Sequence, residues 1–218
     1  MGARGREGAR NGRNALPYTL EWAPFPVKDV VTGHDTYDFT KVDALLDAIA
    51  SRGHQAVIRF SLDTPGKETG MPQYLIDAGT DTSRTYDFYD NKRISFSPNY
   101  NDPKVQEKLL RFVATLGDRY DGDPRIGFIT AGLYGFWGDE HTYPYSGYVN
   151  NQNPKAINWM PSDEFRARLV EAWDEALTTP SSRTSTPPLP RRLTAWATTM
   201  IPSATRPWRG PAGTSSPS

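Results

Sequence analysis

Apolar residues recur at helical spacing in three places along this chain, and runs rich in β-formers stand before each of them. Val42, Leu45, Leu46 and Ile49 share one face of a helix predicted over 41–52. Thr40 stands at its N-cap position with Asp43 able to reach back, and Gly53 suits a left-handed exit. Val105, Leu109, Phe112, Val113 and Leu116 define a second helix over 102–119, with Asp102 as cap and Pro103 in the first turn. A third is predicted over 163–177, capped by Ser162, with Asp163 and Glu164 favourable against the helix dipole.

The strands follow from the intervening runs. Leu16, Tyr18, Leu20 and Trp22 alternate with other residues over 16–22, and 55–62 is apolar and β-branched. Residues 126–131 have the length and composition of a strand covered on both faces. Strand and helix alternating in this way imply an α/β fold with a parallel sheet and right-handed crossovers, either doubly wound or closed as a barrel. The connection 63–101 is rich in Gly, Pro, Asp and Tyr, and connections longer than about 15 residues usually bind something or hold extra structure. Within it, Asp63 and Lys67 follow a strand and either line a cleft or belong to a polar loop. Asp121-Gly122-Asp123 resembles half of a calcium loop but lacks the other ligands, including the Glu at loop position 12, and reads as a turn.

Charge changes the picture more than composition does. The chain has 25 basic and 25 acidic residues, yet residues 1–14 hold four Arg and one Glu, and five Arg with no acid follow Glu175. Removing both ends leaves 16 basic against 24 acidic residues, a net charge of −8 for the middle of the chain. An acidic, aromatic-rich surface repels a phosphate backbone, which argues against nucleic acid and suits a neutral polar ligand such as a carbohydrate. No run reaches the roughly 20 apolar residues of a membrane span, so no membrane partner is expected. With no cysteine there is neither disulfide nor thiolate chemistry. The leader 1–14 lacks the apolar segment of a secretory signal and reads as disordered or misassigned, and the compartment and oligomeric state stay open. The Ser/Thr/Pro/Arg-rich stretch 178–218 has no helical or strand period and is expected not to pack.

Candidate chemistry concentrates in RIGFITAGLYGFWGDEH, residues 125–141, where an apolar run ends in Asp139, Glu140 and His141. In parallel α/β folds, ligands bind beyond the carboxyl ends of the strands. The adjacent acids are either a solvated loop pair or a functional one, and their place after Trp137 favours function. His141 beside two acids raises a metal site, but His34 and His54 have no ligand spacing, so no metal or other cofactor is expected. Arg59 sits in an apolar strand and needs a carboxylate partner, as an orienting group or as a structural ion pair. Trp22, Trp137, Tyr143, Tyr145 and Trp159 offer flat rings on which sugars stack, although aromatic rings are more often core, Trp159 above all.

Read in order, TYDFTKVDALLDAIASRG (36–53), QAVIRFSLDTPGKETGMPQYLIDAG (55–79) and the 125–133 strand resemble the clan-A glycosidases, the (β/α)8 barrels that include β-galactosidases. The resemblance runs through about 160 residues and implies a partial TIM barrel, strands two to four, over 15–177. It is similar more closely to a group of uncharacterised bacterial and fungal proteins that share LPYTLEW-, RYDGDPRIGFI- and GFWG-like segments and usually read Trp-Gly-Glu-Trp-His. Here the motif is Trp137-Gly138-Asp139-Glu140-His141, so the closer group implies Asp139 as the key carboxylate and the clan implies Glu140. The resemblance further implies retaining hydrolysis or transglycosylation of a glycoside, with Trp137, His141, Arg59, Trp22 and Tyr143 supporting the substrate. In the clan the nucleophile lies at the end of strand seven, so it falls outside the matched strands and the barrel reads as truncated. The alternative is a non-catalytic carbohydrate-binding or inert fragment. A one-nucleotide shift across residues 195–203 permits Leu-Gly-Tyr-His-Asp-Asp-Ser-Phe, which resembles a downstream motif of the closer group. The tail therefore reads as disordered, truncated, spliced or frame-shifted.

Overall fold

Parallel pairing begins with β1 (Leu20–Pro26) and β2 (Gln55–Asp63), seven residue pairs in unbroken register from Leu20 opposite Gln55 to Pro26 opposite Ser61. These elements come from a computed structural model, which describes residues 18–178. The chain divides into two units, 1–187 and 188–218, and every described residue belongs to the first. The predicted leader, and the predicted tail beyond Thr178, lie outside the described residues.

The third strand differs from its expectation. It is split into β3 (Ile126–Ile129), beside the first half of β2, and β4 (Leu133–Phe136), beside its second half. Gly132 explains the break, because a Cβ there would lie 2.2 Å from the Gly138 carbonyl oxygen, and Leu133 rejoins the sheet at a φ of 93°. Nor are both faces covered, since Phe128 is exposed. The first strand is also displaced. It runs over 20–26, not 16–22, and the alternating Leu20 and Trp22 face solvent while Ala23 and Phe25 enter the core. Pairing with β2 sets this register, and the side that finds helices to pack against is the one carrying Ala23 and Phe25.

The helices lie close to their predicted places. α1 (Thr40–Ala50) buries Val42, Leu46 and Ile49. Its cap differs from the expected one: the Asp38 carboxylate accepts from the Thr40 amide at 2.9 Å, whereas Asp43 is engaged by Arg119, Tyr120 and Arg125. Gly53 adopts the expected left-handed φ of 75°. The long connection holds a short helix, α2 (Gln73–Asp77). In α3 (Pro103–Tyr120) Asp102 caps the Lys104 amide, and in α4 (Asp163–Ala176) Ser162 caps that of Phe165, both as predicted.

All three long helices contribute to one apolar core with Ala23, Phe25, Ala56, Ile58, Phe60, Leu62 and Ile126, so they cover one face of the sheet. The strand order follows the chain without reversal. A sheet wound in sequence with helices on a single face is an arc of a barrel, since a doubly wound sheet carries helices on both faces. The fold class is α/β, a partial (β/α)8 barrel. Its other face presents Trp22, Val57, Arg59 and Phe128.

Candidate active site

Five residues at the end of β4, Trp137 to His141, turn back on their own strand. The Phe136 amide donates to the His141 carbonyl at 2.8 Å and the Glu140 amide to the Tyr134 carbonyl at 3.1 Å. Gly135 makes this possible: its φ is 80°, and a Cβ would fall 2.6 Å from the His141 nitrogen. The loop is fixed to β2 by the Trp137 amide, which donates to the Asp63 carbonyl at 2.7 Å. Trp137 and Glu140 have φ values of 56° and 58°, the strained kind of backbone found at functional sites.

The two neighbouring acids have different surroundings. Asp139 accepts a hydrogen bond from the Arg59 guanidinium, an ion pair that joins β2 to the loop. Arg59 is held by two further contacts. Its Nε donates to Thr130 Oγ1 at 3.1 Å, and its Cζ lies 4.8 Å from the centroid of the Trp22 ring. Glu140 is half-buried, and that burial pushes its carboxyl above the ordinary range, against the pull of the Tyr134 hydroxyl and the Arg166 and Arg59 guanidinia. Burial likewise raises Tyr134 and holds the His141 imidazole below its usual value, so the ring is neutral at pH 7.

The predicted site residues thus fall into two groups. Trp22, Arg59 and Asp139 form one chain of contacts, with Glu140 within electrostatic reach of Arg59. Trp137 and His141 belong to the other, ring against ring at 5.8 Å beside Phe136. That second group rests on a buried cluster of Tyr86, Phe136, Tyr145 and Trp159. Tyr145 and Trp159 stack on each other at 4.7 Å, so they are core and offer no free face to a sugar. Tyr143 is exposed, its ring 6.0 Å from that of Tyr148.

Several partners were not visible in the sequence. Thr130 lies in the break between β3 and β4, Tyr134 in β4, and Arg166 in the first turn of α4. A barrel places the helix after a strand with its N-terminus at the carboxyl end of the sheet, and that rule would have pointed to Arg166. Asp63 was expected as a cleft or loop residue. It is instead fully buried, because the 85–97 segment folds back over it. Among the described residues no three His, Asp or Glu side chains are grouped to hold a metal ion.

Fold and loop together define the class: an α/β barrel segment with an acidic loop at the carboxyl end of its strands. No protein-family model matches the chain, and no curated protein does. Among solved structures it is similar to a GH5_18 protein from Streptomyces cattleya in complex with GlcNAc, at 13% identity and a TM-score of 0.43 over 74% of this chain and 34% of that one. It is similar to xylanase XynB from Paenibacillus barcinonensis, at 12% identity and a TM-score of 0.41 over 73% of this chain and 40% of that one. The catalytic domain of a β-amylase from Paenibacillus polymyxa gives 15% identity and a TM-score of 0.39 over 57% and 34%. The chain therefore spans between 34% and 40% of the length of these three.

Proposed function

We propose that this barrel segment carries the acid/base half of a site acting on a glycoside by retaining chemistry, with Glu140 as general acid/base. The observation that carries the reading is the contrast between the two acids. The Asp139 carboxylate is already engaged by the Arg59 guanidinium, which disfavours it as the proton donor. Glu140 has the raised affinity for a proton that a general acid needs. In such a reaction Glu140 protonates the leaving oxygen while a second carboxylate, about 5 Å away, attacks the anomeric carbon; Glu140 then takes a proton from the incoming water or alcohol. The resemblance implies a nucleophile at strand seven, outside the strands described. Trp22 supplies a flat apolar surface for a sugar ring, and Arg59 holds Asp139 and Trp22 in fixed relation.

Aryl glycosides with good and poor leaving groups test this reading on the purified chain and its variants. With azide or formate added as an external nucleophile, so that turnover does not depend on a carboxylate outside the described strands, Glu140→Gln is expected to slow turnover by about 100-fold or more for poor leaving groups and much less for dinitrophenyl glycosides, which need no acid. Activity is expected to fall as rising pH deprotonates Glu140, whose carboxyl burial raises above its ordinary value. Equal turnover in Glu140→Gln, or the leaving-group pattern appearing in Asp139→Asn instead, would refute the assignment. The exposed rings of Trp22, Tyr143 and Tyr148 favour a second reading, carbohydrate binding without turnover. Saturable sugar binding by a chain that hydrolyses none of the glycosides would select it.

A further inference from the structure

Asp63 closes β2 with a side chain that is 0% exposed, and the chemistry proposed above makes no use of it. Its Oδ1 accepts two hydrogen bonds, from the Tyr86 hydroxyl at 2.6 Å and the Ser95 hydroxyl at 2.9 Å. Its Oδ2 is enclosed and has no partner. An anion here would leave a charged oxygen without a donor, whereas a neutral acid leaves only a hydroxyl unsatisfied, which costs far less. The proton of the neutral acid belongs on Oδ2, since Oδ1 already accepts twice.

This buried group is connected to both ends of the acidic loop. Its own carbonyl receives the Trp137 amide, and it stands opposite Phe136 in the β2 to β4 register. The Tyr86 that it binds lies ring to ring with Phe136 at 4.5 Å, and the Phe136 amide closes the loop on the His141 carbonyl. On its other side, Asn91 donates to the Tyr86 and Ser95 carbonyls, so both hydroxyl donors sit in one tied segment. We infer that Asp63 is a positioning residue for the acidic loop: its uncharged carboxyl locks the 85–97 segment and the Trp137–His141 loop together, and its ionisation loosens both.

The surroundings agree with this. From the long connection Tyr86, Ser95 and Tyr100 act on or feel Asp63, and Arg84 acts on Tyr100 beyond them. From β4 and its loop come the Trp137 amide and, across Phe136, the neutral His141. Among the described residues no cation offsets a charge on Asp63, and burial pushes its carboxyl up to about 7. The inference takes its functional meaning from the reading of Glu140 as the acid, but its test is independent of turnover.

Amide hydrogen exchange on the full chain measures it directly, with α3 amides as internal reference and rates corrected for intrinsic pH dependence. Protection at Phe136, Trp137 and Glu140 is expected to fall about tenfold more than in α3 between pH 6 and pH 8.5. Asp63→Asn keeps an acceptor for Tyr86 and Ser95 and cannot ionise, so its loop should stay protected and lose the pH dependence. Asp63→Ala should leave the loop poorly protected at both pH values; if that variant does not fold, Asp63→Asn decides alone. A loop in Asp63→Asn that follows the pH dependence of the unaltered chain, or one in a folded Asp63→Ala as protected as the original, would overturn the inference. A failed glycosidase assay would leave these exchange results standing.

Discussion

The two faces of β2 have opposite lives. Ala56, Ile58, Phe60 and Leu62 are buried under three helices, while Val57 and Arg59, one residue away from them, lie on the side that carries Trp22 and Phe128. A strand sends successive side chains to opposite faces, so nine residues serve both purposes at once. The helix side is specified by volume and apolarity. The other side is specified by what its groups can hold, namely a guanidinium between an indole and a carboxylate.

Substitution on both faces should separate these roles. Phe60→Ala removes a ring packed against Phe25 and Phe112 and is expected to cost about 3–5 kcal/mol in urea unfolding. Val57→Ala, on the open face, should cost less than about 1 kcal/mol, and equal losses would dissolve the contrast.

A smaller effect lies where the strand passes from one regime to the other. The folded-state carboxyl of Asp63 is raised from 3.8 to about 7, so the stability it contributes is complete below about pH 4 and lost as pH rises through 7. Between pH 5 and pH 8 that loss amounts to about 3 kcal/mol in chemical denaturation, and Asp63→Asn should flatten it.

A small effect on stability, comparable to that of Val57→Ala, is expected from Trp22→Ala. Its ring is 53% exposed and lies against the Arg59 guanidinium, so unfolding should shift by about 1 kcal/mol or less. If the ring is a sugar platform, the same variant should lose glycan affinity measured by calorimetry. A large stability change with intact affinity would place Trp22 in the core instead.

What the sequence disclosed followed the range of the forces involved. The helices α3 and α4 were legible because their faces and caps are local, Asp102 and Ser162 acting on amides within three residues. The break between β3 and β4 was not, because Gly132 is needed for the approach of Gly138 and nothing in a window around it shows that. The difference between Asp139 and Glu140 was equally hidden. It depends on Arg59, 80 residues from its partner, and on the burial of Glu140 in the folded chain, which outweighs the pull of Tyr134 and Arg166. Asp63 had the right position for a cleft residue, and only the return of Tyr86 and Ser95 over it revealed a core acid.

The unbroken register of β1 on β2 has a consequence for how this segment can change over generations. Any one of its seven residues can be exchanged with only local effect, since each side chain keeps its face. Losing or gaining a single residue inside 20–26 would move Ala23 and Phe25 out of the core and put Trp22 in their place, away from Arg59. Length differences among descendants of this chain should therefore gather in the connections 64–84 and 142–162 and spare the first strand.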